Sequence, residues 1–156
     1  MLGIDPGSTA TGWGLVRRVR GRYKTLGHGV VRTRSKDPVP ERLARIHEGL
    51  AEVIATQTPD VVAIEAIFKH KSSESALRLG QARGVALLAA AQAGLAVHDY
   101  NAMTVKKTVS GYGRADKGQM ARVVAMLLGV QDPIPSDAAD ALAIAMTHLA
   151  HARTVA

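Results

Sequence analysis

Four carboxylates in this chain stand where acids are costly or unexpected. Asp5 follows the apolar run Leu2-Gly3-Ile4 and directly precedes Pro6-Gly7, which puts it at the tip of a short strand where the backbone turns. Glu65 closes the apolar run DVVAIE, where a charge is expensive unless something binds it. Asp137 and Asp140 lie in SDAADALAIAMTH. Three residues apart on a helix, they share a face near its N-terminus, with Ser136 the expected N-cap. Taken singly, each has an ordinary role: Asp5 as a turn residue, Asp137 and Asp140 as complements to a helix dipole. Taken together, they describe an all-oxygen cluster, provided that the strands ending in Asp5 and Glu65 are neighbours. Crowded carboxylates hold their protons unless cations neutralise them. A donor set of this kind suits a hard ion, Mg²⁺ or Mn²⁺. Two such ions about 3.5–4 Å apart can stabilise the attacking and leaving oxygens of a phosphoryl transfer.

The elements that must bring these acids together follow from the hydrophobic pattern. Residues 2–5, 11–19 and 23–33 read as three strands, the last two joined by an Arg20-Gly21-Arg22 turn. Residues 41–57 carry apolar side chains at 43, 46, 50, 53 and 54, the spacing of an amphipathic helix. Residues 60–66 form a β-branched run typical of a strand buried on both faces. A helix is expected over 73–94 with Gly94 as its cap, then a strand over 95–100. Helices follow over 103–109, 116–128 and 136–150, the first two separated by Gly111-Tyr112-Gly113. This order implies an α/β fold, a five-stranded mixed sheet flanked by helices. Residues 85–93 are apolar on nearly every side, so the 73–94 helix should meet a second surface, either another helix of the chain or a second subunit.

Composition narrows the function classes. The 156 residues fit one domain, and the absence of cysteine excludes disulfides and thiolate metal sites. No charged leader precedes the first strand, and the longest apolar run, 85–91, is far short of the ~20 residues that span a bilayer. A soluble, cytoplasmic protein without a membrane partner is expected. Twenty Lys and Arg against thirteen Asp and Glu leave a net charge of +7 and a pI near 10.1. That balance favours a polyanionic partner, nucleic acid above all. With only Trp13, Phe68, Tyr23, Tyr100 and Tyr112 as aromatics, a platform of stacked RNA bases is not expected. An acidic metal pocket in a basic protein is the charge layout of a nuclease.

The segments GIDPGS, DVVAIEAIF, ALRLGQARGVALLAA, VKKTVSGYGRADK and SDAADALAIAMTH, in this order and spacing, closely resemble the RuvC family of Holliday junction resolvases. The resemblance runs from residue 3 to about residue 151. It implies a ribonuclease-H-like fold, a homodimer, and metal-dependent nicking of two symmetric strands in a four-way DNA junction, with a branch-migration motor as a further partner. The family's acidic quartet falls on Asp5, Glu65, Asp137 and Asp140; some members carry histidine at the last position. Phe68 matches the aromatic residue that in the family stacks on an unpaired base at the cut site. Lys106 and Lys117 match the lysines beside the scissile phosphate. Only four residues precede Asp5, fewer than is usual for the family, so either the first strand is short or the true start lies upstream.

The remaining cationic positions carry less. Lys69, His70 and Lys71 flank Phe68, which without the resemblance reads equally as a core residue. Lys106, Lys107, Arg114 and Lys117 are candidate DNA contacts or simply solvated charge. Arg78 and Arg83 either hold phosphates or cover a subunit edge. His148 and His151 are too far along their helix to join the acids. The chief rival is an actin-like or sugar-kinase ATPase, whose phosphate-binding turn GIDPGST also resembles. That fold needs a duplicated core and an adenosine site, for which 156 residues leave no room.

Overall fold

A computed structural model describes residues 1–67 and 72–152. Phe68, Lys69, His70 and Lys71 therefore lie outside the described residues. Five strands, β1 (Leu2–Asp5), β2 (Ala10–Val19), β3 (Arg22–Arg32), β4 (Val62–Glu65) and β5 (Val97–Tyr100), form one sheet in the order β3-β2-β1-β4-β5. The β1–β2–β3 meander is antiparallel, and β1–β4 and β4–β5 are parallel. The mixed sheet expected from the sequence is the one observed. Its central pair, β1 and β4, both end in an acid on the same edge of the sheet.

Two helices, α1 (Val39–Gln57) and α2 (Ser73–Gln92), cover one face of the sheet. Leu2, Ile4, Leu15 and Ile64 point to that side and meet Ile46 and Leu50 of α1 and Ala82, Ala86 and Ala90 of α2. The other face carries α5 (Ser136–His151), backed by α3 (Ala102–Ser110) and α4 (Lys117–Leu128). Because α5 lies between the sheet and the two outer helices, every residue from Ala138 to Thr147 except Asp140 is buried. It is α5 that is enclosed on all sides. The second surface expected for α2 is α1: the helix packs on it and on the sheet, and leaves Leu77 and Leu88 exposed.

Helix ends follow local chemistry. Asp116 and Gln119 form a reciprocal capping box that starts α4, and Gly111 in a left-handed conformation ends α3. α5 departs from expectation at its start. Pro135 occupies the cap, no side chain caps the helix, and Ser136 is its first residue rather than its N-cap. Proline's fixed φ suits this position just ahead of the first turn.

Candidate active site

Asp5 and Glu65 emerge together because β1 and β4 pair in parallel, with Ile4 beside Ile64. The turn after Asp5 is tightly braced. Buried Thr11 donates from Oγ1 to the Gly7 carbonyl at 2.8 Å and accepts from the Gly7 N–H at 3.2 Å. Thr33 Oγ1 donates to the Ser8 carbonyl at 2.6 Å, and buried Arg42 of α1 donates from Nη1 to Ser8 Oγ at 2.6 Å. Such a turn holds one carboxylate direction with little freedom.

The second pair of acids arrives on α5, and glycines let it come close. A Cβ at Gly3 would overlap the carbonyl of Ala141, one at Gly12 the carbonyl of Asp137, and one at Gly14 the Leu142 side chain. Glycine in a strand interior weakens the strand and marks close backbone approach. Here it seats α5 directly on β1 and β2, and Asp137 and Asp140 come down over Asp5. Carboxylate oxygens of Asp5, Asp137 and Asp140 all lie within 4.8 Å of one another. Glu65 is close enough to Asp5 to hydrogen-bond with it when one of the two is protonated, and its charge also reaches Asp140.

A cleft of about 260 Å³ opens over the acids. Asp5, Glu65 and Asp140 line it together with Lys106 of α3 and Lys117 of α4, over an apolar floor of Val105, Met120 and Ala143. Burial, then Glu65, Asp140 and Asp137, push the Asp5 carboxyl up to about 9. Burial also raises Asp140, while Lys117 draws it back down. In other words, the bare cluster retains protons that a divalent cation would displace. All-carboxylate donors, spaced as the ligands of one hard ion are, fit Mg²⁺ or Mn²⁺.

The other candidates divide. Lys106 and Lys117 join the acids, as the resemblance implies. Lys107 and Arg114 are exposed nearby and do not line the cleft. Arg78 pairs with Glu74 one turn back on α2 at 2.8 Å. Arg83 is engaged as well: its Nε donates to the backbone carbonyl of Glu65 at 3.2 Å, and its guanidinium pairs with Asp99 of β5. It clamps the end of β4 and is not free for phosphate. Phe68, Lys69 and Lys71 follow Glu65 in sequence but fall outside the described residues. His148 hydrogen-bonds the Tyr100 hydroxyl at 2.8 Å and packs on His98, away from the acids. The glycines, Thr11 and Arg42 were not singled out by sequence. Three glycines inside strand patterns were the legible signal; nothing in the sequence marks Arg42 as buried.

The sequence profile of the family described as crossover junction endodeoxyribonuclease RuvC matches residues 1–148. The chain is 47% identical over 148 residues to the enzyme of that name from Citrifermentans bemidjiense, covering 95% of this chain and 90% of the relative. It is 48% identical over 155 residues to that from Chloroflexus aurantiacus, covering 99% and 94%. Among solved structures, T. thermophilus RuvC in complex with Holliday junction substrate superposes with a TM-score of 0.90 at 40% identity, covering 97% of this chain and 93% of the other. The yeast mitochondrial Holliday junction resolvase Ydc2, at 14% identity and a TM-score of 0.69 over 96% of this chain and 77% of its own, shares the fold.

Proposed function

Because the chain belongs to the RuvC family of crossover junction endodeoxyribonucleases, we propose that it resolves four-way (Holliday) DNA junctions during recombination and repair. It does so by symmetric nicking with Mg²⁺ or Mn²⁺ bound. One ribonuclease-H-like nuclease domain over residues 1–156 carries the reaction. The observation that carries the reading is the meeting of Asp5, Glu65 and Asp140 with Lys106 and Lys117 around one cleft, with Asp137 within 4.8 Å of Asp5 and Asp140, in a protein of net charge +7. An ATPase reading has no comparable support.

In this reading the four acids hold the metal, two ions per site. Once bound, the ions supply Lewis-acid stabilisation to the oxygens that gain charge at phosphorus. The braced Asp5 turn and the seating of α5 keep the carboxylates at fixed positions, so little reorganisation is needed when DNA arrives. Lys106 and Lys117 neutralise the scissile phosphate, which would otherwise be repelled by the acids. Water adds to phosphorus in line and gives up a proton, and the P–O3′ bond breaks with the 3′ oxygen taking up a proton, which leaves a ligatable 5′-phosphate and 3′-hydroxyl. Phe68, with Lys69 and Lys71 beside it, stacks on an unpaired base near the cut. Lys107, Arg114 and Arg78 contribute weaker contacts to the junction arms, Arg78 only on leaving Glu74.

Two symmetric nicks need two sites. The exposed stripe Leu77, Gly84, Leu88 and Ala91 on α2 supports a homodimer formed through that helix. We infer that the enzyme is cytoplasmic and meets its junction alongside a branch-migration motor; none of the helices among the described residues is long and apolar enough to cross a membrane.

The decisive test is cleavage of an immobile four-way junction with Mg²⁺, with Mn²⁺ and with EDTA, with the product ends mapped. Symmetric, religatable nicks dependent on metal are expected. Asp5→Asn should abolish nicking while keeping or tightening junction binding, since it removes a negative charge facing phosphate. Equal loss of binding and cutting would refute the role given to Asp5.

A further inference from the structure

The basic residues are not spread evenly, and a cluster of them lies away from the cleft. Between Asp5 and Asp37 the sequence contains no acid. Arg17, Arg18, Arg20, Arg22 and Lys24 crowd the far end of the β2–β3 hairpin, and all five are exposed. The three ion pairs found among the described residues, Arg34–Asp37, Arg78–Glu74 and Arg83–Asp99, leave every one of these five without a carboxylate. Val16 donates its N–H to the carbonyl of Met1, where β1 begins, so from Arg17 to Lys24 the hairpin runs past β1 as a two-stranded ribbon.

Two features of this ribbon work against its own stability. Arg17 and Lys24 are paired directly across the ladder, and like charges so placed repel. At the tip, Arg20 and Gly21 both have positive φ, 50° and 78°. Two-residue turns of this kind prefer Asn, Asp or Gly at the first position, and arginine is strained there. A surface built only for solubility would mix signs of charge and use the preferred turn residue. Arg18 is held over the Tyr23 ring at 5.6 Å, so part of the charge is also fixed in direction.

We propose that the tip of the β2–β3 hairpin is a second DNA contact, separate from the active-site cleft, that grips the phosphate backbone of a duplex arm. The inference rests on the resolvase reading for its ligand. From Gly12, beside Asp5, to Arg20 the strand spans roughly 25 Å at about 3.3 Å per residue. The tip therefore reaches an arm most of a helical turn from the cut, one turn being about 34 Å. Five exposed Arg and Lys side chains with no carboxylate beside them suit the phosphate backbone that flanks a groove. Phosphate contacts of this kind add affinity and fix register without reading sequence.

Anisotropy titrations of the full chain with a four-way junction of about 20-bp arms, in EDTA across a salt series, test this. For Arg17→Gln/Arg22→Gln/Lys24→Gln, the slope of log affinity against log salt should become shallower by about 2–3, each lost phosphate contact removing about 0.9, and affinity near 0.1 M salt should fall at least tenfold. Arg20→Asn installs the favoured turn residue, so its melting temperature should hold or rise while affinity still falls. Unchanged affinity and slope in both variants overturn the contact alone. So does aggregation of the variants with unaltered DNA binding, which would make the cations guards of an exposed strand edge. Loss of binding to polyglutamate with DNA affinity intact would overturn it in favour of an acidic protein partner. Failure of the parent protein to bind the junction would overturn the contact and the resolvase reading together.

Discussion

Asp5 is held in a folded state that disfavours its charge, which links the acid cluster to stability as well as to chemistry. Its carboxyl rises from 3.8 to about 9 on folding, first through burial and then through Glu65, Asp140 and Asp137. Between those values the native chain keeps a proton that the unfolded chain has released. Stability from this group is therefore full below about pH 4 and declines as pH rises through 9. Asp140 is shifted in the same direction. Calorimetry in EDTA should show a melting temperature that falls from pH 6 to pH 9, with a shallower fall in Asp5→Asn. Mg²⁺ should raise the melting point more at pH 8.5 than at pH 6 and release protons as it binds. A flat profile in EDTA would mean that the acids are already neutralised by other groups. Sequence marked these four acids because each sits at an element end where carboxylates are unusual. It gave no measure of their mutual distance, which depends on how far α5 descends onto the sheet.

At the scale of elements, that descent is set by glycines and not by the acids themselves. Gly12→Ala would drive a Cβ into the Asp137 carbonyl, backbone against backbone, where no rotamer change relieves the overlap. It should destabilise the chain by about 1–3 kcal/mol, as overpacking does. Nicking well below the melting temperature should also fall, because α5 carries two of the acids. Urea unfolding alongside single-turnover cleavage checks both effects, and full activity in a destabilised variant would uncouple the seating of α5 from the site. The strand and helix order was legible because alternation in 11–19 and helical spacing in 41–57 are strong local signals. The second surface that the apolar stretch 85–93 calls for is α1, whereas burial on all sides falls to α5. Both stretches are rich in alanine, and only the third layer made by α3 and α4 distinguishes them. Arg83 was equally ambiguous, since its partners, the Glu65 carbonyl and Asp99, meet only after two crossovers of the chain.

For the molecule as a whole, paired nicking follows if two copies join through α2. Leu77 and Leu88 are 62% and 50% exposed, and a Cβ at Gly84 between them meets nothing within 4 Å. Such a stripe, apolar and open at its middle, allows close approach of a second helix. The acids open at the ends of β1 and β4, on the sheet face opposite α2's packing. A charge at Leu88 should therefore disturb association and leave the cleft intact. Leu88→Glu is expected to lower the mass in solution from about twice 16.4 kDa to the single-chain value, with the circular dichroism unchanged. On a four-way junction it should then nick one strand at a time, so that singly nicked intermediates accumulate where the parent gives paired cuts. Sedimentation and denaturing-gel time courses read the two effects separately. If the parent is already a monomer at micromolar concentration, the stripe serves something else. If Leu88→Glu is monomeric yet cuts in pairs, DNA itself brings the two copies together, and symmetric nicking does not depend on a preformed dimer.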